Sequence, residues 1–204
     1  ANGHNMQPWK IRLDKDDPLV FYLYADGDRL TNEVDPLARQ MMITQGTFLE
    51  YVKIAGDELG YKMAMELFPA GGYDEQKLTA SMASQPVARI MLTKSQPQDN
   101  PFYDSLFLPD TNRAAYQSNK LTAEQINQLE AINTDANMVI KIFQDQENIE
   151  KLGSYAMKGA TIEAGVNRVK QETETIFRAN EYQKNKYRYG FSVEGQGTSG
   201  LRRH

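Results

Sequence analysis

The sequence predicts a mixed α+β fold in which helices cover a sheet, and three observations carry that prediction. Short runs of β-forming residues bounded by turn signals recur through the first hundred residues. A run from Leu37 to Leu59 instead places apolar residues at helical spacing. The resulting order is strand–strand–helix–strand–helix–strand, then helix–strand–helix, a pattern that packs as layers on one core.

Trp9–Leu13 and Leu19–Tyr24 read as a hairpin joined by the acidic turn Asp14–Pro18, and Ala25-Asp26-Gly27-Asp28 closes the second strand. Asp35 caps the long helix, with Pro36 at its first position and Gly60 ending it. Leu37, Met41, Phe48, Val52, Ala55 and Leu59 form its apolar stripe. A strand at Lys62–Phe68 stops at Pro69 and Gly71-Gly72, a short helix spans Glu75–Ala83, and a strand follows at Val87–Thr93. Lys94–Pro101 is a surface loop close to a domain boundary. Thr122 and Gln125 make a capping box, with Leu121 stapled on Ile126. Asn137–Phe143 reads as a further strand, and 146–180 as mainly helical, bent or interrupted at Gly153 and Gly159. The nine methionines read as core filler, and 195–204 as a loop.

Composition excludes several classes of function. A net charge of −4 and a pI near 5.3 speak against nucleic acid as the partner. The absence of cysteine excludes disulfides, thiolate metal sites and a cysteine nucleophile. No apolar run approaches the ~20 residues that a membrane span needs. The basic-aromatic run Lys184–Phe191 reads as a connecting or lid-like segment, and Gly195–Gly200 matches a dinucleotide-binding string without the strand–helix context that gives it meaning.

The chemistry concentrates at the N-terminus, in ANGHNMQPWKI. Asn5 offers a donor and an acceptor on one amide, which suits the alternating C=O and N–H groups of a flavin pyrimidine ring. Gly3 permits close backbone approach, Pro8 holds the turn, and Trp9 walls or anchors the pocket. The same residues also make an ordinary polar turn, and His4 is either a polar loop residue or part of the pocket lining.

ANGHNMQPW resembles the S-G-x-N-x-Q-P-W motif of the nitroreductase superfamily, and its His4-Asn5 form resembles the Acg-type branch. Gly46–Glu50 continuing to Leu59-Gly60-Tyr61, Glu66–Pro69, and Thr111-Asn112-Arg113 with Tyr116 resemble further segments of that branch, so the likeness extends over 1–13, 35–93 and 107–121. The resemblance implies an FMN-dependent oxidoreductase with a nitroreductase-like mixed sheet flanked by helices. NAD(P)H would reduce FMN, which passes hydride to a nitroaromatic, quinone or similar small-molecule acceptor. No protein side chain need be catalytic, because the cofactor carries the reaction. The alternatives are a non-catalytic flavin-binding or flavin-sequestering protein on the same scaffold, and a structural domain without cofactor.

On this likeness Gly3, His4, Asn5 and Gln7 line the flavin, and Thr111 and Arg113 hold its phosphate, with Pro109 standing where the family carries an arginine. Residues 1–106 are then the remainder of one nitroreductase-like unit and 107–204 the N-terminal part of a second. That is an incomplete tandem, pseudo-dimeric arrangement in a chain cut short at both ends; in other members two chains make the pair. The expected location is cytoplasmic, or exported if a twin-arginine signal lies upstream.

Overall fold

A computed structural model describes residues 4–108, 116–133 and 135–193. The chain divides into two compact units, one made of 1–112 with 171–204 and the other of 113–170. Residues 171–193, expected within the second of two tandem units, thus share a unit with the N-terminal sheet.

In the first unit the hairpin forms as the β-rich runs predict. Strand β1 (Trp9–Leu13) pairs antiparallel with β2 (Val20–Ala25), with Trp9 opposite Ala25 and Leu13 opposite Phe21. Asp14 closes the turn by accepting the N–H groups of Asp16 and Asp17. Strands β3 (Tyr61–Leu67) and β4 (Ala88–Lys94) complete a four-stranded sheet of order β1-β2-β4-β3. Every pairing in it is antiparallel, so the main sheet is not the mixed sheet that the family likeness implied. Among the described residues, parallel pairing occurs only between the two-residue strands β5 (Phe177–Arg178) and β6 (Phe191–Ser192).

Helix α1 (Arg39–Glu58) starts three residues later than its proline suggests. Ala38 at its N-terminus is left-handed, φ 55°, which places Pro36 in the preceding turn and not at the first helical position. Asp35 still caps the helix across that turn, its carboxylate accepting the N–H groups of Arg39 (2.8 Å) and Met41 (2.9 Å). These are two of the orphan donors that every helix start leaves open. The far end follows expectation. Gly60 takes φ 78°, and a Cβ there would stand 2.9 Å from the Ser95 carbonyl.

The core joins Leu23, Ala25, Ala88 and Ile90 of the sheet to Met41 and Leu49 of α1 and Met82 of α2 (Leu78–Ser84). Trp9 stacks on Phe48, ring centroids 5.0 Å apart, tying the first strand to α1. The methionines divide. Met6, Met41 and Met82 are buried, whereas Met65, Met138 and Met157 are exposed. Tyr73 leans edge-on against Phe68 with its hydroxyl buried and short of a well-formed hydrogen bond. Burial pushes its pKa up to about 12, weakly opposed by the nearby Ala25 backbone.

In the second unit the capping box forms as read, opening α3 (Ala123–Ala131): Thr122 Oγ1 accepts the Gln125 N–H, and Gln125 Oε1 accepts that of Thr122. The strand expected at Asn137–Phe143 does not form. Among the described residues no strand gives it a ladder; instead the Gln144 side chain bonds both the N–H and the carbonyl of Leu121. Helix α4 (Gln146–Ala164) runs unbroken through Gly153 and Gly159, and the interruption falls at Gly165 before α5 (Asn167–Ile176). Two glycines cost about 2 kcal/mol of propensity together, which the flanking alanines, leucine and Asp145 cap offset. Helix α6 (Glu181–Tyr187), capped by Asn180, completes the elements among the described residues. The loop expected over 195–204 lies outside them.

Two outcomes follow from this architecture. Asp35→Ala removes both cap bonds and lowers stability by about 1–2 kcal/mol, read as a shift of the urea midpoint at constant slope. The raised Tyr73 pKa means that its proton is held more tightly in the fold than in the unfolded chain. Its contribution is therefore complete below about pH 10 and is lost as pH rises to about 12. Urea midpoints measured across that window fall less for Tyr73→Phe than for the parent chain.

Candidate functional site

The N-terminal loop, residues 4–8, is held from three sides of the first unit. From α1, Gln45 donates to the Pro8 carbonyl at 2.6 Å, and that carbonyl also accepts the Asp26 N–H at 3.0 Å. From the turn after β2, Arg29 donates to the Met6 carbonyl at 3.2 Å. From the distant segment after α6, the Gly190 N–H donates to the Asn5 carbonyl, while Asn5 Nδ2 donates to the Gly190 carbonyl, both at 3.0 Å. Gln7 Nε2 donates to the Arg188 carbonyl at 2.6 Å and lies 3.4 Å from Asn5 Oδ1.

These bonds impose an uncommon backbone. Asn5 and Gln7 both take φ 50°, with Met6 buried between them and Pro8 buried after them. Left-handed conformation at a residue other than glycine costs of order 1–3 kcal/mol and persists only where the surroundings over-determine it. Asparagine tolerates it best, glutamine less well. The N–H groups of Met6 and Gln7 donate to nothing among the described residues, and Gln7 Oε1 accepts nothing there.

Of the residues expected at a flavin, the structure brings His4, Asn5 and Gln7 together in this loop. His4 is half-buried, its ring 6.1 Å from that of Phe191. Gly3, Thr111 and Arg113 lie outside the described residues. Each amide nitrogen gives one N–H to the backbone of 188–190, so what remains for a ligand is the second Asn5 N–H, acceptor oxygens and main-chain N–H groups. The cavity behind the loop measures about 40 Å³ and reaches Arg29, Asp35 and Thr44. That volume admits about one water molecule and no tricyclic ring. The loop's other side is open, and there Asn5 is exposed.

A larger groove of about 490 Å³ lies elsewhere, between the hairpin and α2, lined by Lys10, Arg12, Tyr24, Asp28, Thr79 and Met82. Asp26, 2.7 Å from Lys10 Nζ, holds that ammonium above its usual range, and Arg12 lies over the Tyr24 ring at 4.8 Å. Of the described residues expected to touch the flavin, His4, Asn5 and Gln7, none lines it. Among the described residues no cluster of three or more His, Asp or Glu side chains is placed to hold a metal, and no helix is long and apolar enough to cross a membrane.

The sequence did not point to the partners of this loop. Lys184–Phe191 read as a connecting or lid-like segment, yet Arg188 and Gly190 bond to Gln7 and Asn5. Its one legible signal is Gly190, which takes φ 84° and whose absent Cβ leaves room for the Ile176 carbonyl and the Arg178 guanidinium. Gly190→Ala therefore lowers stability by more than about 1 kcal/mol, measured by thermal unfolding, and detaches the N-terminal loop, seen as faster amide exchange at residues 5–7.

A comparison with protein-family models finds no match for this chain, and a comparison with curated proteins finds none either.

Proposed function

We propose that this chain belongs to an FMN-dependent, nitroreductase-like oxidoreductase and that residues 4–8 supply the edge of the site that meets the flavin pyrimidine ring. The observation that carries the reading is the pair of left-handed residues, Asn5 and Gln7, inside the segment that resembles the superfamily motif. Backbone strain at two positions out of three, stabilised by bonds to a segment far along the chain, is the kind of outlier that marks ligand sites.

The loop's chemistry supports the same reading. The main-chain N–H groups of Met6 and Gln7 are available to a ring carbonyl, and Gln7 Oε1 is available to a ring N–H. Asn5 and Gln7 orient the loop by donating to 188–190 and so hold it in register. FMN, when bound, supplies the hydride chemistry, with NAD(P)H as reductant and a small nitroaromatic, quinone or similar acceptor. Because the loop faces outward, the reading requires a second nitroreductase-like unit as the opposite wall, supplied in tandem or by another copy of the chain.

The second reading, a flavin-binding protein without turnover, is favoured by one feature: the space enclosed beside the loop leaves no room for nicotinamide or acceptor. One titration separates the possibilities. FMN added to the chain loses fluorescence on binding, and Asn5→Ala with Gln7→Ala weakens that binding at least tenfold by freeing the loop. Bleaching of the bound flavin by NADH or NADPH marks the enzyme, and binding without bleaching marks the carrier. Absence of binding, or equal binding by the double variant, rejects both.

A further inference from the structure

We propose that Arg178 and Arg29, which share the ring of Tyr189, form a binding site for a phosphoryl oxyanion. Arg178 is 5% exposed. Its Nε donates to the Tyr189 carbonyl at 2.9 Å, and its Nη1 to the carbonyls of Thr175 and Phe177 at 2.8 and 3.4 Å. Its remaining nitrogen, Nη2, makes no hydrogen bond among the described residues, and no carboxylate there pairs with it. Gly190 packs against that guanidinium: a Cβ there would clash with the Ile176 carbonyl oxygen and stand 3.0 Å from Nη2, so only glycine lets the segment lie this close to it.

Arg29 approaches the same ring from the turn after β2, its guanidinium carbon 3.9 Å from the Tyr189 centroid, against 4.9 Å for Arg178. It spends only Nη1, on the Met6 carbonyl, and leaves Nε and Nη2 without partners among the described residues. Of the acids near Arg178 in sequence, Glu174 is exposed and two others are engaged elsewhere. Glu181 pairs with Lys184, and Glu172 accepts the N–H groups of Glu33 and Val34. Lys186 and Arg188 add further positive charge to the same segment.

A buried guanidinium that meets only carbonyl dipoles and ring faces is under-compensated, because a full charge withdrawn from water is balanced best by an opposite charge. Two guanidinium groups call for a dianion. A tetrahedral phosphoryl group has both the charge and enough oxygens to accept from two forks, whereas one arginine suffices for a carboxylate. The source is free phosphate or a phosphate monoester, and the site is argued without reference to the flavin.

The test uses the full chain and inorganic phosphate at constant ionic strength, with chloride as the control. Phosphate is expected to raise the unfolding midpoint above the chloride value and to broaden the phosphate ³¹P resonance. Arg29→Gln, compared with its own midpoint in chloride because it also loses the bond to the Met6 carbonyl, should bind phosphate at least tenfold more weakly. Arg178→Gln should abolish the response; if that variant does not fold, Arg178→Lys, which keeps the charge and loses the fork, should weaken binding in its place. Phenyl phosphate binding more tightly than inorganic phosphate identifies a monoester, and equal or weaker binding identifies free phosphate. Phosphate no more stabilising than chloride overturns the proposal, as does parent-like affinity in both Arg29→Gln and Arg178→Lys. Because the probe is phosphate alone, failure of FMN to bind leaves this result unaffected.

Discussion

The reciprocal pairing of Asn5 with Gly190 is the contact on which the candidate site rests. Two hydrogen bonds of 3.0 Å join residues 185 positions apart, one through the main chain and one through the asparagine amide. They fix the segment after α6 against the loop before β1, and the left-handed turns at Asn5 and Gln7 depend on that attachment. Without it, only the bonds from Arg29 to Met6 and from Gln45 and Asp26 to Pro8 would oppose the strain of two positive φ angles.

That attachment also gathers positive charge. Docking 188–190 on the loop carries Tyr189 to Arg29 at 3.9 Å, while the short parallel pairing of β5 with β6 holds Arg178 beneath the same ring. Phe177 and Phe191 meet edge-on at 5.4 Å beside it, so apolar packing, cation–π contact and carbonyl acceptors together exclude water from the Arg178 head. The buried cation and the strained loop thus share one cause, the return of 177–191 to the N-terminal unit.

The candidate site then sits on a rigid base. Pro8 and Trp9 lead from the loop into β1, and the first strand is anchored by Gln45 and Phe48 of α1. Gln45 is fully buried with its Oε1 unsatisfied, an unusual expense that the short bond from its Nε2 to Pro8 offsets. The helix that places Gln45 is itself started by Asp35 across a left-handed Ala38. Register along the chain from Asp35 to Gln45 therefore sets the position of the loop, just as the bonds from 188–190 set its shape.

Local chemistry made much of the fold legible. Alternating β-formers and turn residues located β1 to β4 within one or two residues, and Thr122 with Gln125 announced a capping box that formed atom for atom. Such features depend on neighbours within a few positions, which a sequence displays directly. Where tertiary context decided, the reading diverged. Asn137–Phe143 has the composition of a strand but no partner to pair with. Pro36 suited a helix start that the αL turn at Ala38 displaced, and the likeness to a mixed sheet gave way to antiparallel pairing throughout the four-stranded sheet. The motif loop could be located from its residues, while the use of its amides could not. What the sequence by itself determined was the elements and the loop that carries the unusual residues. Only the tertiary structure decided that the loop's donors go to 188–190 and that two arginines meet at one tyrosine, because hydrogen bonds and charges between residues more than a hundred positions apart leave no periodicity or spacing to read.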